Sequence, residues 1–257
     1  MTFYHMTTGF IFSLLMLFII FMTAPVFFIG SLVLWLITFP FDKRRSVLHL
    51  YTCLCLGFWI FIMPFWRIKV EGREKIRKDG QYVIVANHQS QLDIPVTALL
   101  FRQFKWVSKA EILKVPVLGW QLALNRYITI KRGYVNSIAR MMTDCGDALK
   151  KGSSILLFPE GARSETGAVE AFRPGAFILA EAQGVPILPV VIYGTKDALP
   201  KHRLFSFGIH HIVIKVLDEI PCSDMLDFTP DENAFKTKEL VSKHYSLIEK
   251  RFELDLY

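Results

Sequence analysis

His88 and Asp93 are the residues of this sequence whose types and spacing best fit acid–base chemistry. They lie five positions apart, between a strand-like apolar run at 82–85 and a helix-like run at 94–101. If the intervening turn folds back, the carboxylate orients the imidazole and stabilises its protonated form. This is part of a catalytic triad without a protein nucleophile, so we expect the nucleophile to be a substrate hydroxyl. The structural alternative is that His88 caps the turn and Asp93 begins a helix that tolerates Pro95 in its first turn.

Residues 158–164, Phe-Pro-Glu-Gly-Ala-Arg-Ser, form a second motif directly after an apolar run. Gly161, Arg163 and Ser164 in a tight turn can hold a phosphate group through backbone N–H groups and a guanidinium. Glu160 can accept a hydrogen bond from a glycerol hydroxyl or hold Arg163 in place. The alternative is an ordinary β-turn with a surface ion pair that contributes ~1 kcal/mol or less.

A third stretch combines a predicted corner with positive charge. Pro116, Gly119 and Trp120 are typical of a helix–turn–helix corner that lines a pocket. A solvated surface position is the commoner outcome for any single cation. Four cations lie in sequence near predicted strand ends and would add positive potential there: Lys105, Lys109, Arg126 and Arg132.

From residue 67 onward, short strand-like runs alternate with longer amphipathic helical patterns. The alternation predicts an α/β fold with a mixed, largely parallel sheet flanked by helices. Such sheets place ligands at the carboxyl ends of their strands, where His88 lies. The predicted strands are 67–71, 82–86, 105–108, 127–131, 154–158, 187–193 and 211–217. The apolar helix faces are Ile138, Met141, Met142, Cys145, Ala148 and Leu149, and Val241, Tyr245, Ile248 and Phe252.

The 257-residue chain carries a formal net charge of +7 and is 52% hydrophobic. The positive charge indicates an anionic partner. We find no nucleic-acid-binding motif, and the apolar N-terminus favours lipid over nucleic acid. No metal is expected, because His202, His210 and His211 have no carboxylate at ligand spacing. No cofactor is expected either. The cysteines are expected to be free buried thiols in a reducing compartment: Cys53, Cys55, Cys145 and Cys222.

The N-terminus is predicted to be a membrane element, because no charged residue stands between His5 and Asp42. Pro25 is expected to divide this run into two segments, each shorter than the ~20 residues of a spanning helix. A second apolar run follows at 48–66. We favour a helical hairpin held in one leaflet over a double span or a buried hairpin of a soluble protein. The chain is therefore divided into a membrane-associated hairpin at 1–66 and an α/β domain at 67–257.

Four motifs in order and spacing resemble those of the glycerolipid acyltransferase family, and in particular those of the bacterial 1-acylglycerol-3-phosphate acyltransferases. They are Asn87-His88 with Asp93, the corner at 116–120, the heptad at 158–164 and Val-Pro-Ile-Leu-Pro-Val at 185–190. The resemblance covers roughly residues 67–216. Ala162 stands where the family usually has threonine. Phe172-Arg173-Pro174-Gly175 stands where it often has a lysine or arginine with a following glycine.

The resemblance implies transfer of a fatty acyl group from an acyl-CoA or acyl-carrier-protein thioester to the hydroxyl of lysophosphatidic acid. His88 would be the base and Asp93 its orienter, and Pro189 would shape the acyl-binding wall. The implied location is a membrane, at the cytoplasmic face of the inner cell membrane, in contact with membrane lipids. The residues implied to bind substrate are Glu160, Gly161, Arg163, Ser164, Arg132 and Lys109.

Three other functions compete with acylation of lysophosphatidic acid. The same reaction on another acceptor, such as glycerol 3-phosphate, a lysophospholipid or a lyso-amino-acid lipid, would be separated by an acceptor panel. A lipid esterase in which His88 activates water would release free fatty acid without an acceptor, but the sequence has no Gly-x-Ser-x-Gly turn. A non-catalytic module that senses anionic lipid would bind liposomes without turnover.

Overall fold

The computed structural model describes residues 2–201 and 208–254. Within these ranges, seven strands form one sheet in the order β1-β7-β6-β2-β5-β3-β4. All neighbouring pairs are parallel except β6 and β7, so the predicted mixed, largely parallel sheet is confirmed. Each predicted strand is present within one residue or so of its expected bounds. The strands are β1 Trp66–Glu71, β2 Val83–Ala86, β3 Phe104–Lys109, β4 Ile128–Ile130, β5 Ser154–Leu157, β6 Ile187–Tyr193 and β7 His210–Val216.

Helices cover both faces of the sheet, because the central strands are apolar on both sides. All four residues of β2 are buried, as is typical of a central strand in a parallel sheet. Three 3-10 turns accompany the helices, at Arg73–Lys75, Ala98–Leu100 and Ala110–Lys114. The α-helices are α1 Thr2–Thr38, α2 Ser46–Phe61, α3 Asp93–Thr97, α4 Leu118–Leu124, α5 Val135–Lys150, α6 Gly175–Gln183, α7 Thr195–Ala198, α8 Cys222–Met225 and α9 Pro230–Leu254.

Two apolar cores lie on opposite faces of the sheet. One face packs against α2 and α3, and the other against α5, α6 and α9. The predicted face of α9 is confirmed, since Val241, Tyr245 and Ile248 are buried. The prediction for α5 holds for its middle and end, but Ile138 in its first turn is 41% exposed.

The structure corrects the prediction for Pro25. Helix α1 runs through this residue without interruption, and residues 11–38 are long and apolar enough to cross a membrane. Contacts on both sides of the proline hold the helix against α2. The Trp59 indole N–H donates to Thr23 Oγ1 at 2.9 Å, and the Phe27 ring packs on Phe58 and Trp59. One missing hydrogen bond in a long helix is outweighed by this packing.

Helix α2 belongs to the core of the α/β layer as much as to the N-terminal element. Cys53 and Ile60 are part of the apolar core on one face of the sheet. Buried His49 lies 2.8 Å from the Tyr127 hydroxyl and 2.9 Å from the Arg102 carbonyl oxygen. Since the imidazole is enclosed, burial lowers the pKa of His49 to about 3. Helix α1 lies alongside α2 and is thereby attached to the α/β layer.

The four cysteines are free thiols, as predicted, but only two are buried. Cys53 and Cys145 are enclosed in the two cores, whereas Cys55 and Cys222 are half-buried. His202, considered above as a metal ligand, lies outside the described residues.

The predicted corner at 116–120 is present: Pro116 lies between the turn at Ala110–Lys114 and α4, and Gly119 and Trp120 lie in the first turn of α4. Gly119 packs so closely on the Ala110–Lys114 turn that a Cβ atom would lie 2.2 Å from the Leu113 carbonyl oxygen. Gly119→Ala should therefore displace α4 and lower Tm by ~3–10 °C, corresponding to ~1–3 kcal/mol. Gly175→Ala is the matched control, since a Cβ there meets no atom within 4 Å. Thermal unfolding of both variants in detergent measures the difference, and an equal Tm would contradict this account.

Candidate active site

The His88–Asp93 pair forms at the carboxyl end of β2, where the chain turns into α3. His88 Nδ1 lies 2.8 Å from Asp93 Oδ2. The imidazole is 9% exposed and the carboxylate is fully buried. The carboxylate thus selects the tautomer with its proton on Nδ1, which leaves Nε2 free to accept a proton.

Three further donors hold the Asp93 carboxylate. The backbone N–H groups of Gln89 and Ser90 donate to Oδ2 at 2.6 and 2.8 Å, and the Thr195 hydroxyl donates to Oδ1 at 2.5 Å. Charge-assisted hydrogen bonds of this kind stabilise an ionised carboxylate in a buried position. Thr195 was not among the residues predicted from the sequence. The available signal was its place directly beyond the carboxyl end of β6, at the edge of the sheet where ligands bind.

Neighbouring residues fix the turn that carries His88. The Asn87 side-chain amide donates to the Ile192 carbonyl and accepts from the Ile192 N–H, both at 2.8 Å. The Phe158 ring stacks on the imidazole at a centroid distance of 4.2 Å. The Ser164 N–H donates to the His88 carbonyl at 2.8 Å. The 158–164 heptad therefore lies directly against the histidine turn.

Glu160 is buried and turns both oxygens toward the backbone. It accepts from the His88 N–H at 2.7 Å and from the Glu170 N–H at 3.2 Å. Burial raises the pKa of Glu160 to about 7, and the nearby Asp93 and Glu170 carboxylates add to the rise, while the two N–H groups oppose it. The structure thus places Glu160 beneath the His88 turn as a support for its backbone.

Three guanidinium groups converge beside this turn. Gly161 adopts a φ of +76°, and a Cβ there would lie 3.1 Å from the Arg173 guanidinium carbon. Burial lowers the pKa of Arg132, and the charges of Arg173 and Arg163 lower it further, against the opposing effect of Glu111. Cations held this close repel one another unless an anion lies between them. Arg173 was not among the predicted site residues, although the sequence comparison had noted a cation at its position.

The remaining predicted residues are spread more widely. Ser164 is buried, and its hydroxyl accepts a hydrogen bond from the Gly167 N–H at 2.9 Å. The hydroxyl therefore stabilises the loop to which Ser164 belongs. Lys109, at the carboxyl end of β3, has a side chain that is 51% exposed and lies 3.9 Å from Glu111.

The structure corrects the expectation that Lys105 and Arg126 add positive potential at this site. Lys105 is at the start of β3 and Arg126 precedes β4, so both lie at the amino edge of the sheet. Lys105 pairs in register with Ile155 at the start of β5. The sequence pattern showed that these residues lie near the termini of strands, but it did not distinguish the amino terminus of a strand from its carboxyl terminus.

Among the described residues, no group of three or more histidine, cysteine, aspartate or glutamate side chains comes together to hold a metal ion. What the structure does bring together is a base with its orienter and a cluster of cations, both at the carboxyl edge of the sheet. This arrangement can deprotonate a hydroxyl on a molecule whose anionic group is bound a short distance away.

Comparisons with known proteins give consistent matches. The Acyltransferase family model matches residues 67–193. The 1-acyl-sn-glycerol-3-phosphate acyltransferase of Pseudomonas aeruginosa is 32% identical over 68% of this chain and 68% of its own length. The chloroplastic 1-acyl-sn-glycerol-3-phosphate acyltransferase of Arabidopsis thaliana is 37% identical over 62% of this chain. The chain spans about half the length of the plant and algal relatives it matches.

A solved structure resembles this one along almost its whole length. The crystal structure of the 1-acyl-sn-glycerophosphate acyltransferase PlsC from Thermotoga maritima matches with a TM-score of 0.79 and 27% identity. The match covers 95% of this chain and 98% of the other, so it includes α1 and α2 as well as the sheet.

The raised pKa of Glu160 predicts a pH-dependent cost to stability. A carboxyl whose pKa rises on folding stabilises the protein below its usual pKa of 4.5, and this stability is lost as the pH rises through about 7. The free energy of unfolding of Glu160→Gln minus that of the parent should therefore rise by ~1–3 kcal/mol between pH 4.5 and pH 8. Chemical denaturation across this range measures the gain. Glu239→Gln, at an exposed position on α9, is the control, and a gain for Glu160→Gln that does not change with pH would rule out ionisation as the cause.

Proposed function

This chain belongs to the glycerolipid acyltransferase family, and we propose that it transfers a fatty acyl group to the free hydroxyl of 1-acyl-sn-glycerol 3-phosphate. The product is phosphatidic acid, and the donor is a thioester of coenzyme A or acyl carrier protein. The observation that carries the proposal is the His88–Asp93 pair beside the three arginines, Arg132, Arg163 and Arg173. A hydroxyl acceptor with a phosphate group has the two features that these residues recognise.

His88 acts as the general base. Its Nε2 takes the proton of the acceptor hydroxyl as the oxygen attacks the thioester carbonyl carbon. The resulting tetrahedral centre collapses, the carbon–sulfur bond breaks, and the imidazolium returns the proton to the leaving thiolate. Asp93 stabilises the imidazolium through Nδ1 and never takes the proton itself. The contacts that the structure describes for the imidazole are Asp93 and Phe158, which is consistent with a nucleophile supplied by the substrate.

The phosphate of the acceptor binds between the three guanidinium groups. Arg163 follows β5, Arg132 follows β4, and Arg173 precedes α6, so three segments contribute one cation each. Gly161 keeps the space in front of Arg173 open because it lacks a side chain. Glu160 supports the His88 backbone from below, and Lys109 adds charge at the rim.

We propose that residues 1–66 attach the enzyme to one leaflet, with residues 67–257 forming the catalytic domain. Helix α1 contacts the protein along its length, from Phe12 on Phe65, through Thr23 on Trp59, to Trp35 beside the Arg45 guanidinium. A helix fixed along its length to the protein lies beside the domain instead of leaving it to cross the bilayer. Its outer face is apolar, with Phe18, Phe21 and Ile29 each at least 60% exposed. The expected location is the cytoplasmic face of the cell membrane.

His88→Ala should reduce acyl transfer to lysophosphatidic acid by ~10²–10⁴-fold, because the general base is lost. The assay uses both thioester donors in separate reactions, and Tm in detergent checks that the variant folds. His244→Ala, on α9, is the matched control and should retain parental activity. Parental rates of acyl transfer in a folded His88→Ala protein would exclude this mechanism. If the parental protein released fatty acid without acceptor as fast as it transfers the acyl group with acceptor, the enzyme would be an esterase.

Arg173→Gln should raise KM for lysophosphatidic acid by ~10–100-fold with a smaller change in kcat, because one charge-assisted contact to the phosphate is removed. Arg77→Gln, which breaks a surface ion pair with Glu219, is the control. An acceptor panel of glycerol 3-phosphate and lysophospholipids tests selectivity. An unchanged KM for lysophosphatidic acid would remove Arg173 from the phosphate site.

A further inference from the structure

A second positively charged cavity lies at the amino edge of the sheet, on the side away from His88. Its volume is about 610 Å³, and it runs between the α1–α2 turn, the beginning of β4 and one face of α5. Cations outnumber carboxylates among its lining residues. The cations are Lys43, Arg44, Lys105, Arg126, Arg140 and Lys151, and the carboxylates are Asp144 and Asp147.

Lys105 places a buried ammonium group in the wall of this cavity. Its Nζ donates to the Arg44 carbonyl at 2.8 Å and to the Asn125 carbonyl at 2.7 Å. An ammonium has three N–H donors, so these two bonds leave one. Burial, together with the charges of Arg45 and Arg126, lowers the pKa of Lys105 to about 8, against the opposing effect of Asp42. The hydrogen-bond partners of the ammonium are carbonyl groups, which carry no full negative charge.

Arg45, which follows the cavity-lining Arg44, adds a second buried cation whose charge acts on Lys105. The residue is 4% exposed, and within the described part of the chain its Nε and Nη1 have no hydrogen-bond partner. Its guanidinium lies 5.6 Å from the Trp35 ring centroid and 5.4 Å from that of Phe39. Burial lowers the pKa of Arg45, and the charge of Arg126 lowers it further. Buried donors without partners are costly, so Arg45 adds to the unbalanced positive charge beside the cavity.

Asp42 is close to this cluster, but its carboxylate is already engaged. Both oxygens accept backbone N–H groups at the start of α2, from Ser46 at 2.7 Å and from Val47 at 2.9 Å. This one carboxylate, which caps a helix, acts on both Arg45 and Lys105, and the charge of Arg126 acts on the same two cations. The cluster needs a further anion to balance its charge.

We propose that this cavity binds a phosphate group, at a site separate from the candidate active site. Arg126 and Lys43 reach the phosphate from the open side, and Lys105 supplies its remaining N–H from the wall. The bound anion would join the α1–α2 turn to the α/β layer, which are already linked by the Arg44 guanidinium and the Gly152 carbonyl at 2.9 Å.

The surroundings favour the headgroup of an anionic lipid as the source of this phosphate. Phe39 and Phe41, in the same turn, are 54% and 68% exposed. Exposed aromatic side chains next to cations are typical of protein surfaces at the headgroup level of a bilayer. A free phosphate would use the cations alone and would gain nothing from the aromatic residues.

The test compares two charge-matched double variants of the full chain in neutral detergent micelles. Lys43→Gln with Arg126→Gln removes two cations from the cavity, and Lys243→Gln with Lys250→Gln removes two from α9. Parent and variants all carry Arg163→Gln, so that the candidate active site contributes less to binding, and without an added thioester donor acyl transfer plays no part. Tm is measured against added dioleoyl phosphatidylglycerol and, separately, against inorganic phosphate, to give an apparent Kd for each.

We expect phosphatidylglycerol to raise the Tm of the parent and of the α9 variant, with a Kd about tenfold weaker for the cavity variant. Lys43→Arg with Arg126→Lys keeps both charges and should restore binding, which separates loss of charge from misfolding. If inorganic phosphate raised Tm with a Kd that is likewise weaker for the cavity variant alone, the site would be supported with a free anion as its ligand. Equal Kd values in all proteins, or no rise in Tm with either probe, would show that the cavity is not a phosphate site.

Discussion

The fully buried Asp93 carboxylate is the constraint around which the site is arranged. An ionised carboxylate is stable in such a position only when donors surround it, and here it has four: the His88 ring, two backbone N–H groups and the Thr195 hydroxyl. The backbone donors require a tight turn after β2. The hydroxyl requires the end of β6 to lie beside that turn, which the parallel register of the two strands provides. Burial of one charge thus links the order of the strands to the tautomer of the histidine.

How much of this was visible in the sequence depends on how local each feature is. The strands were predictable because their apolar runs are continuous. The His88–Asp93 pair was predictable because its members lie five positions apart, in one turn. Thr195 reaches Asp93 across 102 positions, so only the pairing of β2 with β6 reveals it. Lys105 was placed at the wrong edge because the pattern does not give the direction of a strand relative to a site. Pro25 was misjudged because the packing of Thr23 and Phe27 on α2 cannot be read from α1 alone.

The net charge of +7 is concentrated partly in two clusters at opposite edges of the sheet. Arg132, Arg163 and Arg173 gather at the carboxyl edge, and Arg45, Lys105 and Arg126 at the amino edge. Burial lowers the pKa of Arg132 and of Lys105, and the neighbouring cations of each cluster lower it further, which is a cost to the folded state in the absence of ligand. Such a cost is expected where binding, not stability, determines the choice of residue. The difference between the clusters is that one lies beside a base and the other beside exposed aromatic residues.

Helix α2 connects these two edges. It begins next to Arg45 at the amino edge and ends near Trp66, where β1 starts. Because β1 is parallel to β7, and β7 is antiparallel to β6, this start of β1 lies at the carboxyl edge, level with the candidate active site. Helix α1 runs beside α2, so under the attachment proposed above a bilayer that covered the exposed face of α1 would extend between the two edges of the sheet. Such a bilayer would lie near the amino-edge cations and near the His88 edge. The attachment of α1 along its length would therefore bring both edges of the sheet within reach of membrane lipids.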